Sequence, residues 1–183
     1  MLVRSRSLLF AALFVAVAAT AQAQPRGVMA DLIKDVTEVE GKIVQLANAM
    51  PESTWAWRPG AGVRSVGEVF THVAADNYFF PAAFGTATPA GVGITTDYKT
   101  VTAWEGRTRA RAEVIAEVQK SFAFMKDAMA KTNPATVATP MKMFGQETTP
   151  QATWISAATH LHEHLGQLIA YARSNKVVPP WSK

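Results

Sequence analysis

Apolar residues recur at steps of three and four along four stretches of the chain, the spacing that lays one stripe down an α-helix. The first stretch runs from about Val28 to Met50, with Leu32, Val36, Val39, Ile43 and Leu46 in its stripe and Pro51 just beyond. The second opens at Ser65-Val66-Gly67-Glu68. A serine followed three residues later by glutamate forms a capping box, in which the two side chains satisfy free backbone amides reciprocally. This assigns Glu68 to capping rather than to acid catalysis. The helix is predicted to reach about Phe80, with Pro81 as its punctuation. The third predicted helix covers about Thr108 to Lys131, on Val114, Ile115, Val118, Phe122, Met125 and Met129, and Asn133-Pro134 ends it. The fourth begins at Thr149-Pro150, where a first-turn proline loses no amide partner. It continues to about Asn175, before Pro179-Pro180.

The connections differ in character. Pro51 to Arg64 carries Trp55 and Trp57 among prolines and glycines, and the tryptophans are expected to cover a core edge. Pro81 to Thr102 is rich in Gly, Pro and Thr and reads as a long loop, with Trp104 assigned to a separate turn before the third helix. Connections of that length often carry function. Val137 to Thr149 alternates enough for a short hairpin around Gly145. Four helices sharing one core predict an all-α four-helix bundle with a long second connection. A length of 183 residues suits one such domain.

The N-terminal segment has a different pattern. Arg4 and Arg6 precede an unbroken apolar run of twelve residues, Leu8 to Ala19, and Ala21-Gln22-Ala23 follows. Charge, short apolar run and small-x-small site together predict a signal peptide over residues 1–23, cut after Ala23. A bilayer span needs about 20 apolar residues, so the run is too short to serve as one. The domain is then residues 24–183, exported to a periplasm or secreted, with no later apolar run able to hold it in a membrane. The formal charge of +4 falls to +2 without Arg4 and Arg6, because residues 1–23 contain no acid. So small an excess gives no reason to propose nucleic acid as a partner. The absence of cysteine excludes disulfides, a thiol nucleophile, iron–sulfur clusters and Cys-ligated zinc.

Histidine carries the candidate chemistry. The chain has four: His72, His160, His162 and His164. At about 100° per residue, His164 lies about 40° from His160 on the helical wheel, and His162 about 200° away. His160 and His164 can therefore share a metal, while His162 points elsewhere. The pair borders the stripe formed by Ala157, Leu161, Leu165, Leu168 and Ala172, with Gln167 and Tyr171 on its outer side. On the second helix His72 borders Val66, Val69, Val73 and Phe80 in the same way, and Asp76 lies one turn further along that seam. Two helices that each present imidazole at the core margin allow a three-histidine site, against the alternative that these histidines are hydrogen-bonded packing residues or an exposed His-rich turn.

These stretches resemble the DinB/YfiT-like superfamily of metal-binding four-helix bundles, and within it the DinB-like domain. The likeness rests on MPESTWAWRPGAGVRSVGEVFTHVAADNYFF at 50–80 and HLHEHLGQLIAYAR at 160–173, and extends over about residues 28–175. The family pattern is one histidine on the second helix and an H-x-x-x-H pair on the last. It matches His72, His160 and His164. The resemblance implies a divalent metal, zinc or nickel most often, with water completing the coordination, and homodimers are common among members. Some relatives transfer thiols such as bacillithiol or mycothiol. Those thiols are cytoplasmic, so the export signal points away from that activity.

Two functions follow as expectations, beside a purely structural reading in which the histidines are packing residues and the protein acts through its surface. In the first, the metal activates water in a hydrolase or transferase of unknown small-molecule substrate, with Asp76 as base or ligand-orienting partner and Gln167 as a site contact. Tyr171 is assigned to packing. In the second, the chain is a non-catalytic exported module that binds a metal or small ligand.

Overall fold

The computed structural model describes residues 27–143 and 145–182, so the signal-peptide expectation for residues 1–23 lies outside the described residues. Four long helices form the body: α1 (Val28–Ala49), α2 (Val66–Ala83), α4 (Arg111–Ala130) and α5 (Pro150–Ser174). A short helix, α3 (Tyr98–Glu105), precedes α4. Strands β1 (Met141–Met143) and β2 (Gln146–Thr148) make an antiparallel hairpin that pairs Met141 with Thr148, and Gly145 takes the left-handed φ of 78° that its turn requires. The four-helix bundle and the hairpin match the sequence expectations.

The helix starts follow the sequence signals. The Ser65 Oγ accepts from the Glu68 amide at 3.3 Å, and Glu68 Oε2 accepts from the Ser65 amide at 2.7 Å. Arg58 Nη2 donates to the other Glu68 oxygen at 2.9 Å, so Glu68 is a cap and lies outside the histidine cluster. Thr149 Oγ1 caps α5 by accepting from the Ala152 amide at 3.1 Å. In α4 only half of a box exists: Glu113 Oε2 accepts from the Ala110 amide at 2.7 Å, because alanine offers no acceptor.

Three boundaries differ from expectation. Helix α2 does not stop at Phe80 but runs through Pro81 to Ala83. A proline there removes a single amide from the final turn, a small loss against the burial of Pro81 and Ala82. The stretch read as a loop to Thr102 contains α3, started by Asp97, whose side chain accepts from the Lys99 amide at 3.0 Å. Trp104 belongs to α3, and with Val101 it fastens that helix to the core. The third long helix starts at Arg111 rather than Thr108.

The principal packing pairs are α2 with α4, α1 with α5, α1 with α4, and α2 with α5. Consecutive helices α1 and α2 therefore stand at opposite corners. Val36, Ile43, Leu46, Val69, Phe70, Val118, Phe122, Met125, Leu161 and Leu168 fill the space between the four. Each fully buried side chain of this size contributes about 1.5–3 kcal/mol of apolar transfer. Trp55 covers the core edge as expected, stacked on Phe70 at 5.2 Å, and Gly67 lies so close that a Cβ there would sit 3.1 Å from the indole. Helix α2 is buried on nearly every face, and its sequence is not apolar all round. Buried polar groups need partners. Asn77 finds Ser121 on α4 at 3.2 Å, while His72 and Asp76 face α5.

Candidate metal centre

The α2–α5 seam brings His72, Asp76, His160 and His164 together. One donor atom from each lies within 4.8 Å of every other. Asp76 Oδ2 is 2.7 Å from His160 Nε2 and 3.1 Å from His72 Nε2, and His160 Nε2 is 3.1 Å from His164 Nε2. The ring centroids of His160 and His164 are 4.4 Å apart, and that of His72 is 4.7 Å from His164. His162 points to the other side of α5, where it meets Asp35 of α1 at 2.9 Å in solvent. The helical-wheel separation of His162 from the pair thus corresponds to the geometry.

The residues fit a divalent ion. Donors around a tetrahedral ion with bonds of about 2.0–2.1 Å lie about 3.3 Å apart. His160 Nε2 and His164 Nε2 are 3.1 Å apart, close to that edge length, and Asp76 Oδ2, at 2.7 and 3.1 Å from His160 and His72, stands where it can serve either as a fourth donor or as a base beside the ion. The tautomers fit as well. His72 Nδ1 is 2.6 Å from Glu105 Oε1, and an ionised carboxylate can only accept, so Nδ1 carries the proton. His164 Nδ1 is 2.9 Å from Gln167 Oε1, while Gln167 Nε2 donates to the Tyr171 hydroxyl at 3.0 Å. The Gln167 oxygen therefore accepts from His164 Nδ1. In the neutral rings this leaves each Nε2, which faces the cluster, as the nitrogen able to ligate an ion.

Asp76 is 6 % exposed, and a buried carboxylate needs positive charge or donors beside it. In the metal-free protein His160 supplies them. Its hydrogen bond to Asp76 holds the His160 pKa above the ordinary imidazole value, against the opposing effect of burial, with Glu163 adding to the rise. Burial pushes His164 the other way, to below the ordinary value; its bond to Gln167 opposes that shift, and neighbouring His160 and His72 add to it. The two neighbouring imidazoles are thus shifted in opposite directions by their surroundings.

Asp76, expected at the seam, is buried among the histidines. Gln167 touches His164, and Tyr171 is both packed in the core and bonded to Gln167. Glu105 joins the cluster although the sequence pattern does not single it out. It sits on α3, 33 residues from His72, and no local spacing links the two. Asp97 ahead of Tyr98, with Val101 and Trp104 three apart, is the signal that reveals its helix.

The model of the DinB superfamily matches residues 36–168, more than half of the chain. Among solved structures, a DinB-like protein from Bacillus cereus is 14% identical, with a TM-score of 0.67 over 83% of this chain and 95% of that one. A DinB-like protein of Bacillus subtilis, YjoA, is also 14% identical, with a TM-score of 0.60 over 80% and 92% of the two chains. YfiT from Bacillus subtilis, described as a probable metal-dependent hydrolase with an unusual four-helix bundle topology, is 16% identical, with a TM-score of 0.66 over 84% and 93%. At such identities the likeness to these structures concerns the fold. No curated protein matches the chain. On the match over residues 36–168, the chain belongs to the DinB superfamily.

Proposed function

We propose that this chain is an exported metal-dependent hydrolase acting on a small molecule, in which His72, His160 and His164 hold one divalent ion, zinc or nickel. The observation that carries the reading is the convergence of three imidazole Nε2 atoms and one carboxylate oxygen on a single point between α2 and α5. When bound, the ion supplies Lewis acidity towards a carbonyl and towards water. The protein's own groups do the rest. Asp76 Oδ2, set against two of the ligand nitrogens, accepts the proton of the attacking water and returns it to the leaving group. Glu105 and Gln167 hold the rings in place. The Phe80 ring, 6.3 Å from that of His160, gives the site an apolar wall. The His160 side chain is 30% exposed, which leaves the cluster open to solvent on the α5 side.

The same carboxylate favours one other reading. If Asp76 serves as a fourth ligand instead of a base, the coordination closes and the chain is a non-catalytic metal-binding module. A screen of small esters and amides with zinc- and nickel-loaded protein separates the two. The hydrolase reading expects turnover that Asp76→Asn lowers by about 10²–10⁴-fold, the usual scale for a general base. Metal uptake with no turnover on any substrate favours the module. Export rests on the pattern of residues 1–23, and among the described residues no helix is long and apolar enough to cross a membrane.

A further inference from the structure

The imidazoles of His72 and His164 each engage a neighbour through Nδ1, and the two neighbours lead to one residue. His72 Nδ1 meets Glu105 Oε1 at 2.6 Å, and Glu105 Oε2 lies 3.5 Å from Arg64 Nη2. His164 Nδ1 meets Gln167 Oε1 at 2.9 Å, Gln167 Nε2 donates to the Tyr171 hydroxyl at 3.0 Å, and that hydroxyl donates to the Arg64 carbonyl at 3.1 Å. Arg64 directly precedes the Ser65 cap of α2, so its backbone is fixed by the start of the helix that carries His72. Glu105 arrives from α3 and Gln167 from α5. Three separate elements thus converge behind the histidines.

We infer that Glu105 is a positioning residue for the metal centre, with the Arg64 side chain paired to its outer oxygen. The inference rests on the metal reading above. Groups that take the second ring proton of a metal-binding histidine fix its tautomer and orientation and raise its basicity. Glu105 does this with a full negative charge, whereas Gln167 does it with a neutral amide, so His72 is the stronger donor of the two. The attachment of α3 does not depend on Glu105, because Val101 and Trp104 bury the apolar side of that helix. The charge of Glu105 is therefore available for the histidine and for Arg64. Replacing it should weaken the metal site without loosening the fold.

The test is zinc binding by the purified chain, measured in competition with a chromophoric chelator, alongside the melting temperature of the metal-free protein. Thr102→Ala, on the exposed side of α3, is the control. Glu105→Ala is expected to lower zinc affinity by about 10–100-fold while melting with the control. Glu105→Gln keeps an acceptor oxygen for Nδ1 and is expected to recover part of that loss, leaving a several-fold deficit. In nitrogen-15 spectra of the zinc-loaded protein, His72 should show a protonated Nδ1 whose signal is lost or shifted in Glu105→Ala. Wild-type zinc affinity in Glu105→Ala would overturn the inference, as would an affinity loss matched by an equal loss of metal-free stability. If the alanine variant does not fold, wild-type affinity in Glu105→Gln overturns it instead. Failure of the unmodified chain to bind zinc would remove the metal reading itself, an outcome distinct from intact binding that ignores Glu105.

Discussion

Asp76 and His160 stand 84 residues apart in sequence and 2.7 Å apart in space, Oδ2 against Nε2 across the α2–α5 seam. The bond ties the two histidine-bearing helices together, and it gives the metal-free protein a proton that a metal ion must displace.

Two opposite pH trends follow. The pKa of His160 is raised in the folded, metal-free protein. Its stabilising contribution is therefore complete below about pH 6.5, the unfolded imidazole value, and is lost as pH rises through the folded value. Metal affinity runs the other way and falls as pH drops through the same range, because protons compete for Nε2. In Asp76→Asn the cause is gone, and NMR titration of His160 in the metal-free variant should show its pKa moving down. An unchanged His160 pKa in that variant would remove Asp76 as the source of the shift.

The α2 cap should be separable from the site. Ser65→Ala is expected to cost about 1 kcal/mol in urea unfolding with metal affinity unchanged. The Ser65 amide holds the Glu68 carboxyl below the usual range against the opposing effect of burial, with Arg58 adding to the lowering. Its contribution is present above about pH 4.3 and is lost as pH falls through the lowered folded value. The stability difference between the unmodified chain and Glu68→Gln should therefore shrink in acid. A difference that stays constant from pH 7 to pH 3 would contradict the capping role.

Core substitutions should rank by burial. Phe122 is fully buried and Leu161 is nearly so, and truncation to alanine is expected to cost about 3–5 and 2–5 kcal/mol respectively. Ile155 is 39% exposed, and Ile155→Ala should stay within about 0.5 kcal/mol. Chemical denaturation of the three variants measures this directly. An Ile155 cost equal to that of Leu161 would place the core elsewhere.

Export is read from the first residues alone. N-terminal sequencing of the protein recovered from outside the cytoplasm should begin at Gln24, one residue after Ala23. A sequence that begins at Met1 would mean that the apolar run is retained.

Most of the bundle was legible because its signals are local. Val36, Val39, Ile43 and Leu46 mark a stripe by spacing alone, and Ser65 with Glu68 announces a helix start within four residues. His160 and His164 share a face for the same reason. What was missed depends on tertiary context. Pro81 normally ends a helix, but here the burial of Pro81 and Ala82 carries α2 onward. Helix α3 is only eight residues long and sits in a stretch dominated by Gly, Pro and Thr, so composition masked its cap at Asp97. With α3 unseen, Glu105 had no position, and its contact with His72 had no precursor in the sequence. The burial of Asp76 likewise follows from α5 packing on α2.

The central claim is that His72, His160 and His164 hold one divalent ion, and the most direct measurement is zinc and nickel content and affinity across four single alanine variants. His72→Ala, His160→Ala and His164→Ala should each lower affinity by at least about 10-fold. His162→Ala should bind like the unmodified chain, because that ring is turned to Asp35 on the far face of α5. X-ray absorption of the loaded protein should show imidazole nitrogens at about 2.0–2.2 Å. Equal loss of metal in all four variants, or no stoichiometric metal in the unmodified chain, would contradict the account.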